Sequence, residues 1–163
     1  MDIQIGGLGK HELLEALREA GVELNEAART LFAHEHFTPF ETPSIIRTTE
    51  VSVADLGLPQ GGTMPDIATR AADRGLFPCP LELGPHLRLQ YLDQPEGHVS
   101  HPETRHTAPP GSLTVVSTPI ADDEDVPKGF YLRRIDGILW LRGYRASLDH
   151  VWGPGDRLVF AFR

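Results

Sequence analysis

Cysteine, long hydrophobic runs and net positive charge are scarce or missing in this chain, and each absence excludes a class of protein. One cysteine among 163 residues cannot form an intramolecular disulfide, which argues against a disulfide-stapled secreted domain. No apolar run approaches the roughly 20 residues that a membrane-spanning helix needs. The first residues, MDIQIGGLGKHELLEAL, lack the basic and then apolar order of a signal peptide. We therefore expect a cytoplasmic protein with no membrane partner.

The third absence concerns charge. The formal net charge of −8 at pH 7 argues against a protein that coats nucleic acid by bulk attraction, so we expect no nucleic-acid partner. The charge is uneven, because residues 128–163 contain seven Lys and Arg against three Asp. That segment carries +4 and leaves −12 on residues 1–127. Either its arginines pair with carboxylates from the rest of the chain, or they form a locally basic face.

Hydrophobic periodicity predicts a single α+β domain over residues 1–163, with N-terminal helices packed on a mainly antiparallel sheet of about five strands. Apolar stripes and helix caps predict two helices over residues 10–20 and 26–33 and a third between Thr63 and Gly75. Alternation and β-branched residues predict the strands, at residues 45–53, 86–91, 113–117, 130–135 and 157–162. The segment 98–112, rich in histidine, proline and threonine, is predicted to be an inserted surface loop.

The pair Asp136-Gly137 is the strongest local signal in the chain. It separates YLRRI from ILWLRGY, and both runs alternate in hydrophobicity. A two-residue Asp-Gly loop between such runs favours a type I′ turn, because both of its positions need a positive φ. The sequence therefore predicts a tight antiparallel hairpin of residues 130–135 and 138–144.

The stretch CPLELGPHLRLQYLDQPEGHVSH, residues 79–101, supplies the candidate catalytic residues. Its alternation predicts a strand over 86–91 with the leucines facing the core and His86 and Arg88 facing away, after a proline-bent lead-in that contains Glu82. A Glu and a His acting as acid and base, with an Arg that stabilises a phosphate, is the chemistry of small metal-independent ribonucleases. Glu82, His86 and Arg88 are thus the catalytic set of one alternative function, a small metal-independent hydrolase or ribonuclease.

Arginine and aromatic residues on the predicted sheet favour a different function. Tyr, Trp and Arg are enriched at the centres of protein interfaces. The preferred interpretation is a non-catalytic binding or interaction module that presents one polar, aromatic-bearing sheet face to a protein partner or to its own second copy. Its predicted binding residues are Gln90, Tyr131, Arg133, Trp140 and Arg142, with Tyr144 and Trp152 nearby.

A third alternative is a DNA-binding regulator that uses the two N-terminal helices as a helix-turn-helix. The second of these helices carries Arg29 as its one basic residue, which disfavours contact with phosphates. The residues alone leave open whether the chain is an enzyme, and they favour a non-catalytic role.

We predict no cofactor and no metal site. The candidate ligands are His98, His101 and His106, and His34 or His36 could add another nitrogen. The chain has no second cysteine and no HExxH motif. The same reasoning predicts that Cys79, between two prolines, is a buried structural thiol and not a nucleophile.

The middle of the chain resembles a group of short uncharacterised bacterial proteins. The shared motif is CPxExGPxLRLQYxDQPxG, here Cys79 to Gly97, and similar residues extend back to Asp55. The later motifs DGxLWL and WxPGDRxVF resemble the same group. The resemblance covers more than half of the chain and implies no activity and no catalytic residue. In that group a strand follows the DQPxG turn almost directly, so segment 98–112 is predicted to be an insertion peculiar to this chain.

Overall fold

A mainly antiparallel β-sheet with helices on both faces forms the fold, as the computed structural model shows for residues 1–97 and 109–163. The helices in these described residues are α1 (Lys10–Glu19), α2 (Glu26–Ala33), α3 (Met64–Ala72) and α4 (Leu83–Gln90), and a short 3-10 helix (Ala54–Leu56) precedes α3. None of them is both long and apolar enough to cross a membrane.

The first three helices lie where their caps predict them. The side-chain oxygen of Asn25 accepts a hydrogen bond from the Ala28 N–H at 2.8 Å and so caps α2. Thr63 and Asp66 form a capping box at α3, in which the Asp66 carboxylate accepts from the Thr63 N–H at 3.1 Å. These bonds satisfy N–H groups that a helix start leaves free, and they involve only neighbours in sequence. Local sequence was therefore sufficient to predict these helices.

Ten strands occur in the described residues, and eight of them form one sheet. They are β1 (Asp2–Ile5), β2 (Glu23–Leu24), β3 (Ser44–Ser52), β4 (Gly62–Thr63), β5 (Leu76–Phe77), β6 (Leu113–Val115), β7 (Gly129–Ile135), β8 (Ile138–Tyr144), β9 (Val151–Trp152) and β10 (Arg157–Phe162). The order in the main sheet is β1-β3-β10-β6-β7-β8-β2, and β5 also pairs with β10. The β10–β6 and β2–β8 pairs are parallel and the others are antiparallel, while β4 and β9 form a separate two-stranded sheet.

Two parts of the predicted architecture are corrected. The main sheet has eight strands in the described residues, not about five, and helices α3 and α4 lie in the middle of the chain, not at its N-terminus. The missed strands are short: β1 has four residues, and β2, β4, β5 and β9 have two each, which is too few to display a clear alternation. Their pairing is decided by neighbours that are distant in sequence.

The predicted hairpin is confirmed. Strands β7 and β8 pair from Ile135↔Ile138 at the turn to Gly129↔Tyr144 at the open end. Asp136 and Gly137 have φ values of 52° and 74°, as a type I′ turn requires. Gly137 adopts this conformation without strain, and aspartate is among the residues that tolerate it best.

The predicted strand over residues 86–91 is wrong, because Leu83 to Gln90 form helix α4. Pro85 lies in the first turn, where its missing N–H is not needed by the helix. Burial explains the misleading pattern: Leu87 and Arg88 are consecutive and both have 0% exposure, so the alternation of apolar and polar residues does not separate an inside from an outside. Leu89, expected in the core, is only half-buried.

Hydrophobic clusters cover the two faces of the sheet unequally. On one face, α1, α2 and α4 pack on side chains of β1, β7, β8 and β10 in a large core that includes Leu31, Leu87, Phe130 and Leu141. On the other face, α3 and the 3-10 helix pack on β10 through Ile67, Leu158 and Phe160. Helix α3 lies toward the β3–β10 side of the sheet, so among the described residues no helix covers the second face of the β7–β8 hairpin.

The predicted inserted loop falls mostly outside the described residues. Of segment 98–112, residues 98–108 are not described. Residues 109–112 form a turn in which the Ser112 N–H donates to the Pro109 carbonyl at 3.0 Å, and Ser112 is buried at the start of β6.

Candidate functional site

Four of the five predicted binding residues lie together on the face of the hairpin that no helix among the described residues covers. Tyr131 is directly opposite Arg142, and Arg133 is directly opposite Trp140. Side chains two residues apart on a strand point the same way, so these four form two adjacent rungs of one face. We call this set, Tyr131, Arg133, Trp140 and Arg142, the hairpin face. All four are partly exposed.

Arg142 is the centre of the hairpin face. Its guanidinium carbon lies 5.1 Å from the centroid of the Trp140 ring and 6.0 Å from that of Tyr131. Cation–π contacts of this kind contribute roughly 0.5–1 kcal/mol at exposed sites and more when water is excluded. The contacts favour the side-chain conformation in which the guanidinium lies over both rings, so the face presents a positive group beside two aromatic rings.

The other side of the same hairpin is anchored in the core. Phe130 and Leu132 have 0% exposure, and the Phe130 ring lies 5.6 Å from that of Phe32 on α2. The Asn25 side chain that caps α2 also donates to the Gly143 carbonyl at 3.1 Å and accepts from the Gly143 N–H at 2.8 Å. The backbone that carries the hairpin face is therefore fixed from behind.

An apolar cavity of about 360 Å³ adjoins the open end of the hairpin. Tyr144 and Trp152 form part of its wall, with ring centroids 5.7 Å apart and the rings nearly perpendicular. Burial raises the pKa of the Tyr144 hydroxyl, which keeps it neutral. The exposed carboxylates of Asp122 and Glu124 line the cavity, as does Lys128.

The cavity and the hairpin face are continuous. Tyr144 follows Arg142 on the same face of β8, and a smaller cavity of about 170 Å³ is lined by both Tyr131 and Tyr144. Trp152 lines both cavities. The surface thus runs from a basic, aromatic half on the hairpin to an apolar half with acidic side chains beside β9.

Two of the three candidate catalytic residues contact each other. Glu82 precedes α4 and His86 lies one turn later, so that Glu82 Oε2 is 3.4 Å from His86 Nε2. The other oxygen of Glu82 accepts from the Phe40 N–H at 2.8 Å. Their exposures are only 3% and 5%. Burial lowers the pKa of His86, and the nearby Glu82 carboxylate opposes that shift.

Arg88 points away from this pair. Its guanidinium donates to Gln94 Oε1 at 2.6 Å, to the Trp140 carbonyl at 3.4 Å and to the Tyr91 carbonyl. Burial lowers its pKa to about 10, which leaves it charged at neutral pH. Arg88 therefore ties α4 to the strand that carries the hairpin face, and the three candidate catalytic residues do not converge on one point.

Gln90, the fifth predicted binding residue, lies on α4 and away from the hairpin face. Its side-chain amide donates to the Gln4 carbonyl at 2.8 Å and accepts from the Gln4 N–H at 3.1 Å. It thus pairs with the outer edge of β1 as a neighbouring strand would. Its placement follows from the helical conformation of residues that were predicted to be a strand.

The structure bears on part of the metal and thiol predictions. His98, His101 and His106 lie outside the described residues. Within residues 1–97 and 109–163, no three His, Cys, Asp or Glu side chains are grouped to hold a metal ion. Cys79 is buried as predicted, its Sγ lies 3.7 Å from the Val159 carbonyl, and burial raises its pKa to about 12. A thiol that stays protonated at neutral pH is a poor nucleophile.

Comparison with known proteins adds no family. No family model, no curated protein and no solved structure matches this chain. The resemblance to short bacterial proteins therefore stays a prediction, and the surface has to be interpreted from its own chemistry.

Sequence reasoning missed the cavity and the network around Arg88. Tyr144 and Trp152 come from separate strands, and no spacing in the sequence shows that they meet. The network around Arg88 did have a signal in the sequence. Arg88 and Gln94 both belong to the motif CPxExGPxLRLQYxDQPxG, and their side chains form a hydrogen bond in the structure.

Proposed function

We propose that this chain is a non-catalytic interaction module that binds a protein partner on the hairpin face. One observation carries the proposal: the Arg142 guanidinium stacks on Trp140 and Tyr131 on a sheet face that no helix among the described residues covers. Arg, Trp and Tyr are the residues that most often dominate the energy of a protein interface.

Rigidity supports this function. Association costs free energy when side chains and loops must be ordered on binding. Here the two ring contacts favour one position of the Arg142 side chain, and Phe130, Leu132 and Asn25 fix the backbone behind it. A partner therefore meets a surface that needs little ordering, which raises the affinity obtained from a small contact area.

The alternative functions are less well supported by geometry. The Glu82–His86 contact is compatible with acid–base chemistry, but Arg88 donates to groups on the other side of α4. For a DNA-binding regulator, the exposed side of α2 would have to be basic, and there Arg29 lies beside Glu26 and Ala33. We also propose that the protein is cytoplasmic, which its single cysteine supports. We further propose that it is related to the short bacterial proteins that share the motif from Cys79 to Gly97, and the motif itself supports that relationship.

Photo-crosslinking tests the binding proposal in cells that express the chain. With benzoylphenylalanine in place of Tyr131, we expect a crosslinked protein product, whereas the same probe in place of Arg29, exposed on the opposite helical side, gives none. Adding Arg142→Ala should reduce the yield at least tenfold, since losing an interface hot spot costs about 2 kcal/mol or more and about 1.4 kcal/mol is already a factor of ten. Equal yields from the two positions, or no product from position 131, would overturn the proposal.

A further inference from the structure

The identity of the partner follows from the chemistry of the cavity beside the hairpin face. Val116, Tyr144 and Trp152 give the cavity an apolar wall, and Leu148 at its edge is 76% exposed. Asp122 and Glu124 add exposed carboxylates. Lys128 also lines the cavity, but its ammonium donates to the Asp123 carbonyl at 3.2 Å. An apolar ring that carries a positive charge at its side is the complementary ligand.

The hairpin face presents a group of that kind. The Trp140 indole and the Arg142 guanidinium stack as one unit, and both are partly exposed. Aromatic rings and arginines are typical anchors that enter pockets on a partner, and carboxylates pair with guanidinium in bidentate geometry. At about 360 Å³, the cavity is large enough for an indole ring.

The unit cannot fill the cavity of its own chain. Trp140 and Tyr144 are four residues apart on the same strand, so their Cα atoms are about 13 Å from each other. Both point to the same side of the sheet, because their separation is even. The half that carries Trp140 and Arg142 and the half that holds the cavity are therefore neighbours on one surface, and a second copy can bring each half against the other.

The geometry points to a second copy of this chain as the partner, in a two-fold dimer where Trp140 and Arg142 of each protomer enter the acidic-edged cavity of the other. This inference rests on the proposed function and names its partner. A surface with two complementary halves side by side is self-complementary under a two-fold rotation, which makes both contacts twice and closes the assembly. The same rotation covers Leu148, an apolar side chain that is otherwise in water.

Charge exchange between the two halves tests the dimer. We expect the purified chain to show a monomer–dimer equilibrium by sedimentation between about 1 μM and 1 mM, the range of a small interface. Arg142→Glu alone, or Asp122→Arg with Glu124→Arg, should weaken self-association at least tenfold. Mixing the two variants should restore a dimer, seen as a heterodimer by native mass spectrometry, because both halves of the mixed interface are again complementary.

A second variant keeps the test independent of folding. Leu148→Glu changes an exposed side chain, so its melting temperature should match the wild type while its dimer weakens at least tenfold. A wild-type chain that is monomeric over the whole range would overturn the dimer, as would charge variants that fail to restore each other. If the probe at position 131 crosslinks to a different protein and the chain is monomeric, the dimer is wrong and the binding function stands. If it crosslinks to nothing, both are wrong.

Discussion

At the scale of single residues, burial decides what the charged groups of α4 do. Arg88 has 0% exposure and no carboxylate within salt-bridge distance among the described residues. Its two terminal nitrogens donate hydrogen bonds to the Gln94 side chain and to the carbonyls of Tyr91 and Trp140. A buried guanidinium is tolerated only where its hydrogen bonds are made. Arg88 is thus a structural support for the hairpin, although the sequence presents it as a catalytic candidate.

His86 should make the stability of the protein depend on pH. Burial lowers its pKa below the ordinary 6.5, so the unfolded state binds more protons near that value. The stabilisation that comes from burying neutral His86 is fully present above pH 6.5, and it is lost as the pH falls through the pKa of His86 in the folded state. In urea titrations at several pH values, the free energy of unfolding should decrease from about pH 7 to pH 5, by about 1.4 kcal/mol for each unit by which the pKa is lowered.

His86→Gln should remove most of that dependence, because glutamine does not titrate. His11→Gln, at an exposed position on α1, is the matched control and should leave the pH profile unchanged. A profile that is the same for the wild type and His86→Gln would show that other groups control acid stability.

At the scale of elements, α4 depends on a glycine at its contact with the hairpin. A Cβ atom at Gly84 would lie 2.8 Å from the Phe130 Cβ, which real Cβ atoms do not approach. Phe130 cannot give way easily, because its ring also packs on Phe32 and Phe37. The sequence suggested that Gly84 forms a bend before a strand. In the structure it is the point where α4 contacts β7 closely.

Gly84→Ala should destabilise the protein. Overpacking costs about 1–3 kcal/mol and exceeds the roughly 0.5–1 kcal/mol that alanine contributes in a helix, so we expect a net loss of about 1–2 kcal/mol in chemical denaturation. Gly155→Ala is the control, since a Cβ there meets nothing within 4 Å and its φ is not positive. Equal stabilities of the two variants would contradict the close packing of α4 on β7.

At the scale of the whole molecule, the described residues on the two sides of positions 98–108 lie close together. A Cβ on Gly111 would lie 2.9 Å from the Gly97 Cα, and the Gly97 N–H donates to the Arg134 carbonyl at 2.7 Å. Gln94 joins the same region by donating to the carbonyls of Gly111 and Leu132. The described residues that precede and follow positions 98–108 thus lie close together, beside the hairpin.

Replacing residues 98–108 by a short Gly-Ser linker should therefore leave the fold intact. Shortening a connection between ends that are already close changes the loop entropy little, so we expect the melting temperature to shift by no more than about 4 °C. Thermal unfolding followed by circular dichroism measures this. A much larger decrease would mean that residues 98–108 make contacts on which the fold depends.

The sequence by itself determined the elements whose signals are local. The caps Asn25 and Thr63, the apolar stripes of α1 to α3, the alternation in β3 and β10, and the Asp136-Gly137 turn act between near neighbours, and the structure has them where they were predicted. The hairpin register also followed, so Tyr131, Arg133, Trp140 and Arg142 were correctly placed on one sheet.

Only the tertiary structure decided the rest, because the deciding contacts join distant residues. The alternation around Arg88 fits a strand, but in α4 the consecutive residues Leu83 to Arg88 are all buried, and hydrogen bonds to Gln94 and to the Trp140 carbonyl stabilise the polar Arg88 there. The two-residue strands exist through their partners, such as β2 through β8. The cavity exists because packing brings Tyr144 and Trp152 together, and no periodicity in the sequence encodes that contact.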